Sequence, residues 1–142
     1  MAKNDSIFVD SNYLIALYNP ADSQHSRALR LAEQISEEDP KLYTSNYILI
    51  EVLTVLSQRV DKNTAISVGE HIRDSQQIEI LHVNEELDNL IWKIFKVIQS
   101  KNVSVVDCST LALLNYAGIK RLLTFDETDF KPLRDQFSYS IV

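Results

Sequence analysis

Residues 6–18 read SIFVDSNYLIALY, and the change of pattern at Asp10 sets the fold class. Ile7-Phe8-Val9 is a β-type run of branched and aromatic residues that stops at Asp10. Tyr13 to Tyr18 then reads as a first helical segment, and Asn19-Pro20 breaks it, because the residue before a proline is pushed out of the helical region. A strand passing directly into a helix is how an α/β chain begins.

The pattern continues downstream. Between Asp22 and about Glu38, Ala28, Leu31, Ala32 and Ile35 fall at helical spacing, and Pro40 ends that helix. Lys41 to Thr44 reads as a brief strand. Ser45 or Asn46 is placed to cap a helix through Arg59. That helix is apolar nearly all round, with Ile48, Leu49, Ile50, Val52, Leu53, Val55 and Leu56, so it is expected to be buried. Asp61 to Gln76 reads as a helix and Ile78 to Val83 as a strand. Asn84 caps an amphipathic helix carrying Leu87, Leu90, Ile91, Ile94, Phe95 and Ile98. After Val103 to Val106, a helix covers Cys108 to about Tyr116, and Gly118 is placed to end it. Arg121 to Phe125 is the next strand, and Tyr139 to Val142 the last. Strands alternating with helices imply a parallel sheet covered on both faces. Ligands of such sheets bind at the carboxyl ends of strands, where the strand order reverses.

The bulk properties suit one soluble domain spanning residues 1–142. Hydrophobic residues make up 45% and charged residues 24%, with two glycines, three prolines and no repeats. The single cysteine, Cys108, allows no internal disulfide, and the composition suits a reducing cytoplasm. No segment reaches the ~20 apolar residues of a membrane span, and the N-terminus lacks the continuous apolar core of a signal peptide. The formal net charge of −6 argues weakly against a large nucleic-acid footprint. Small basic groups (Arg27 with Arg30, Lys120 with Arg121, Lys131 with Arg134) soften that objection, as does a carboxylate cluster built to hold a cation.

Four carboxylates stand out. Asp10 and Asp126 each follow a strand, so neighbouring strands would project both from one rim. Asp107 lies at a helix start, where the dipole tolerates an anion. Each can equally be an N-cap or a turn residue. Glu51 interrupts the most apolar helix, on the face of Ile48 and Val55, with no basic residue near it before Arg59. Burying an unpaired carboxylate costs several kcal/mol, so a Glu lining a cleft and facing a cation accounts for it better. Two unit charges 4 Å apart repel by about 4 kcal/mol at an effective dielectric near 20. Four converging carboxylates therefore need compensation, and Mg²⁺ or Mn²⁺ suits oxygen ligands. Zinc does not fit: His25, His71 and His82 are scattered and Cys108 is alone. The chain has no phosphate loop, no dinucleotide fingerprint and no serine nucleophile elbow.

IFVDSNYLIALYNPAD, SNYILIEVLTVL, VSVVDCSTLALLNYAGI and RLLTFDETDF, in that order, resemble the PIN-domain ribonucleases, most closely the VapC-type toxins. The resemblance runs through essentially the whole chain. It implies a three-layer α/β/α fold with a five-stranded parallel sheet in the order 3-2-1-4-5. It places the family's four acidic positions on Asp10, Glu51, Asp107 and Asp126, with Asp129 on a more variable fifth. Ser11 and Asn12 fall where small polar residues orient water or a phosphate, and Thr124 where a polar residue supports the fourth Asp. His25 falls where many members carry a histidine, here read as a surface or capping residue.

The chemistry so implied is hydrolysis of an RNA phosphodiester with one or two Mg²⁺ or Mn²⁺ ions. The resemblance also implies homodimerisation and, for a toxin, an antitoxin partner covering the acidic cleft. Two other classes compete with an endoribonuclease. A catalytically inactive PIN domain that binds RNA or protein has no need to keep four like charges. An α/β phosphotransfer or hydrolase domain using Asp10 is disfavoured by Asn12, which stands where a second Asp is required.

Overall fold

The computed structural model describes residues 5–142. Met1 to Asn4, part of the expected 1–142 domain and of the N-terminal reading, lie outside the described residues. The elements run β1 (Ser6–Val9), α1 (Ser11–Tyr18), α2 (His25–Glu38), β2 (Lys41–Ser45), α3 (Asn46–Arg59), α4 (Lys62–Asp74) and β3 (Ile78–Leu81). They continue α5 (Glu85–Val97), α6 (Val105–Ala117), β4 (Arg121–Leu123), α7 (Glu127–Phe130), a 3₁₀ turn (Lys131–Leu133), α8 (Arg134–Phe137) and β5 (Ser140–Ile141).

The strands form one five-stranded sheet in the order β3-β2-β1-β4-β5, with every pairing parallel. Its centre shows why the fold has three layers. Ile7, Phe8 and Val9 are consecutive, so their side chains alternate between faces, yet all three are 0% exposed. Leu122 and Leu123 of β4 are likewise fully buried. Both faces are therefore covered, as a parallel sheet requires. Helices α1 to α4 pack in succession, α2 on α1, α1 on α3, and α3 on α4, while α5 and α6 pack as a pair.

The strand order reverses at β1, which pairs with β2 on one side and β4 on the other. Val9 is in register with Leu123, so the next residues, Asp10 and Thr124, leave the sheet side by side. The Asp10 amide closes the ladder by donating to the Leu123 carbonyl at 2.9 Å. The topological switch point is thus lined by the residues that follow the two central strands.

Several boundaries differ from the expected ones, each for an identifiable reason. β4 stops at Leu123 rather than Phe125 because the Phe125 amide donates to Asn12 Oδ1 (2.9 Å) and the Asp126 amide to Thr124 Oγ1 (3.0 Å). β3 stops at Leu81 rather than Val83, whose amide donates to Asn46 Oδ1 at 3.0 Å. α2 starts at His25 rather than Asp22, because Asn19 Oδ1 and Asp22 Oδ1 hold residues 19–24 in turns by accepting from Ala21 and Gln24. α4 ends at Asp74 rather than Gln76, where Ser75 Oγ accepts from the Gln77 and Ile78 amides. α6 begins at Val105, two residues into the Val103–Val106 run, because Ser104 caps it.

The expectation of a wholly buried α3 needs correction. Ile48, Leu49, Val52 and Leu56 are buried, but Ile50 is 62% exposed and Leu53, Val55 and Glu51 are half-buried. The helix is covered by α1 and α4 on part of its circumference only.

Candidate metal centre

Asp10 is the N-cap of α1 and is buried to 3% exposure. Its Oδ1 accepts from the Ser11 amide at 2.8 Å and its Oδ2 from the Thr124 hydroxyl at 2.8 Å. Thr124, itself fully buried, is the hub of this corner. Having one hydroxyl proton, it donates to Asp10 and accepts from Asn12 Nδ2 (3.2 Å) and from the Asp126 amide (3.0 Å). Asn12 completes the brace by accepting from the Phe125 amide. Asp10, Asn12, Thr124 and Asp126 are therefore one connected network at the switch point.

Asp107 arrives from α6, held by a capping box. Ser104 Oγ accepts from the Asp107 amide at 3.0 Å, and Asp107 Oδ2 accepts from the Ser104 amide at 2.9 Å. This leaves Oδ1 without a bond to the helix end. Asp126 caps the short α7 and accepts from the Asp129 amide at 3.3 Å. Ligand oxygens of Asp107, Asp126 and Asp129 lie within 4.8 Å of one another, all half-buried. Asp10 and Glu51 stand outside that trio, yet both are close enough to Asp107 for their charges to interact with it.

The electrostatics are those of poorly solvated carboxylates without a counter-charge, with like-charge repulsion adding to burial. Burial pushes the Asp10 carboxyl up from 3.8 to about 7, against the opposing bonds from Thr124 and Ser11 and with help from the Asp107 and Glu51 charges. Burial also raises Asp107, with the charges of Asp129 and Glu51 adding to it and the Ser104 bonds opposing. Asp126 is raised first by burial, then by Asp129 and Asp107. Among the described residues the ion pair found is Arg121 with Glu38, at the far end of the strands from this cluster, so no basic side chain neutralises it. Oxygen-only donors, close together, poorly solvated and unpaired, fit a hard divalent cation of the Mg²⁺ or Mn²⁺ kind.

The remaining expected residues fall as follows. Ser11 contributes its amide to Asp10, and the Asn12 carboxamide is bonded within the protein. His25 Nδ1 donates to the Ala16 carbonyl at 2.7 Å, tying α2 to α1 away from the acids. The Cys108 thiol is buried and pushed up to about 11, first by burial and then by Asp107, so it is no nucleophile. Two features escaped the sequence reading. Ser104 orients Asp107, and its signal was a Ser three residues before an acid at a helix start. Arg27 places its guanidinium 4.5 Å from the centroid of the Phe125 ring, a contact across 98 residues that no local pattern signals.

The switch point lined with acids under this sheet order defines a PIN domain, and the chain belongs to that family, whose model matches residues 7–134. It is 31% identical over 120 residues to the 23S rRNA-specific endonuclease VapC20 of Mycobacterium tuberculosis, spanning 84% of this chain and 88% of the relative. The crystal structure of M. tuberculosis VapC20, a sarcin-ricin loop cleaving toxin, matches with a TM-score of 0.77 at 28% identity. That match covers 89% of this chain and 93% of the other. FitAcB from Neisseria gonorrhoeae shares the fold, with a TM-score of 0.66 at 16% identity over 95% of each chain.

Proposed function

We propose that this chain is a metal-dependent endoribonuclease, a single cytoplasmic domain that acts as the toxin of a toxin–antitoxin pair. The observation that carries the reading is the close approach of Asp107, Asp126 and Asp129 beside a buried Asp10 at the sheet's switch point. The likeness to VapC20 supports RNA as the substrate and makes 23S rRNA the first to try.

Asp107, Asp126 and Asp129, with Asp10 and Glu51 alongside, would hold a divalent Mg²⁺ or Mn²⁺, which when bound would supply positive charge for the phosphodiester and acidify water. The chain's own part is positional. Thr124 and Ser11 fix both Asp10 oxygens, and Ser104 fixes Asp107, so the acids do not reorganise when substrate arrives. Arg27, held over Phe125 at the edge of this corner, is suited to a phosphate oxygen of the bound RNA. An acidic cleft of this kind also suits an antitoxin segment that offers a basic side chain to it.

Among the described residues no helix is long and apolar enough to cross a membrane. Homodimerisation is supported by the exposed apolar side chains of α5, where Leu90, Trp92 and Val97 are 40%, 55% and 65% exposed.

The test is cleavage of 23S rRNA and of an isolated sarcin-ricin hairpin, with Mn²⁺, with Mg²⁺ and with chelator, by wild type and Asp10→Asn. Metal-dependent cuts that disappear in the variant are expected. Equal cutting by both proteins would move the chemistry away from this site.

A further inference from the structure

A second cavity adjoins the acidic cluster. It lies between the C-terminal end of α5, the turn that follows it and the segment from α7 to α8, and its volume is about 270 Å³. Asp129 lines it, so one residue belongs both to the cluster and to this cleft. A nucleotide whose phosphate sits at the cluster has this cleft beside it, across Asp129.

The lining says what that group is. Val97, Val103 and Leu133 give apolar walls, while Gln99, Gln136 and Thr128 bring carboxamides and a hydroxyl to the same space. Neither glutamine amide is bonded to another described residue. No lysine or arginine lines the cleft, and its one ionisable residue is an acid, so a phosphate is excluded. A volume just under the roughly 300–1,000 Å³ of drug-sized pockets takes one small, flat, neutral group. Proteins recognise single-stranded RNA by splaying out one base, covering its faces and bonding its edge.

We infer that this cleft is a nucleobase subsite: it takes one unstacked base of the RNA next to the scissile phosphodiester, with Gln99 and Gln136 reading its edge. The inference rests on the nuclease reading and adds to it the origin of sequence preference.

The experiment uses a short random-sequence RNA pool cut in Mn²⁺, with the new ends sequenced. Wild type is compared with Gln99→Ala/Gln136→Ala and with Val97→Trp, which fills the cleft from an exposed rim position. Folding of each is checked by circular dichroism. Wild type is expected to favour particular bases at one position flanking the cut. The double glutamine variant is expected to flatten that preference by about fivefold per lost hydrogen bond, and Val97→Trp to flatten it by shutting the base out, with cuts surviving in the pool at relaxed sequences.

Unchanged preference in both folded variants overturns the subsite and leaves the nuclease standing. No metal-dependent cutting by wild type overturns the nuclease reading and the subsite with it. A second measurement is independent of turnover: the Asp10→Asn protein is photo-crosslinked to RNA oligomers carrying 4-thiouridine. Labels on peptides holding residues 97–103 or 128–136 are expected, and labels confined to other peptides overturn the subsite.

Discussion

Asp10 concentrates the conflict between stability and chemistry in one carboxyl group. In the metal-free protein it keeps its proton up to about pH 7, whereas in the unfolded chain it loses it near 3.8. Between those values the folded state holds the extra proton, so stability falls as pH rises through that window. The stabilising contribution is whole below about pH 4 and gone above pH 7; a rise from 3.8 to about 7 corresponds to about 4 kcal/mol. Asp10→Asn removes that dependence. Its amide group gives up acceptance from the Thr124 hydroxyl, a loss of about 1 kcal/mol. The metal-free Asn variant is therefore expected to melt several degrees higher than wild type at pH 8, with the gap closing towards pH 4. Thermal scans across that range check it, and a variant less stable at pH 8 would make Asp10 a structural cap. Thr124 tests the network from the other side. Thr124→Val keeps the shape but leaves the buried Asp10 Oδ2 without its hydroxyl partner, at about 1–3 kcal/mol, and takes a bond from each of the half-buried Asn12 Nδ2 and Asp126 amide. Thr124→Ser restores the hydroxyl, so chemical denaturation is expected to rank wild type and Ser together and Val well below.

Helix α6 shows how an element delivers a side chain. Its first turn is fixed by the reciprocal Ser104–Asp107 bonds and its last by Gly118, which adopts φ 68°, a conformation that other residues resist. Ser104→Ala breaks the box and is expected to cost about 1 kcal/mol in denaturant. The backbone amide of residue 104 still donates to Asp107 Oδ2, but the Asp107 amide loses its acceptor and the first turn loosens, so Mn²⁺ affinity measured by calorimetry is expected to drop, whereas Ser104→Thr keeps both bonds. A stability loss with unchanged Mn²⁺ affinity would confine Ser104 to capping. The same helix explains what was legible in the sequence. Ordinary helical and strand periodicities located every strand and the larger helices, and the strand–Asp–helix pattern at Asp10 announced the switch point. The element ends were less legible because contacts remote in sequence decide them. Asn12 takes the Phe125 amide and Asn46 takes the Val83 amide, and neither pairing leaves a trace in the local pattern. The exposed Ile50 has a similar cause, since only the packing of α1 and α4 on α3 determines which apolar positions stay uncovered. At the acidic site, the residues themselves brought forward four carboxylates and the family resemblance the fifth, Asp129, but their grouping is tertiary. Asp129, read as the variable fifth, lies in the tight trio, while Asp10 and Glu51 stand behind it.

Across the whole molecule the sheet brings together charges from β1, α3, α6 and the segment after β4, and this arrangement is strained until a cation arrives. The exposed apolar side chains of α5 raise a separate question of assembly. Sedimentation at micromolar protein is expected to show a dimer, with Trp92→Glu shifting it to monomer because Trp92, packed beside Phe95, is the largest of them. A Trp92→Glu dimer of wild-type strength would place the contact elsewhere. Metal binding acts on the entire folding equilibrium. A ligand that binds the folded state alone stabilises it by about 2.7 kcal/mol when present at 100 times its dissociation constant. Here protons compete with the cation, because Asp10, Asp107 and Asp126 all hold theirs above the ordinary range. Mn²⁺ at a fixed concentration is therefore expected to raise the melting temperature more at pH 8 than at pH 6. The increment at pH 8 is expected to vanish in Asp107→Asn, which removes a member of the close trio. At pH 8 the cation also cancels the repulsion that Asp10 otherwise imposes, so wild type gains more than Asp10→Asn from the same Mn²⁺. A melting shift equal at both pH values, or equal in wild type and Asp107→Asn, would mean that the ion binds away from these carboxylates.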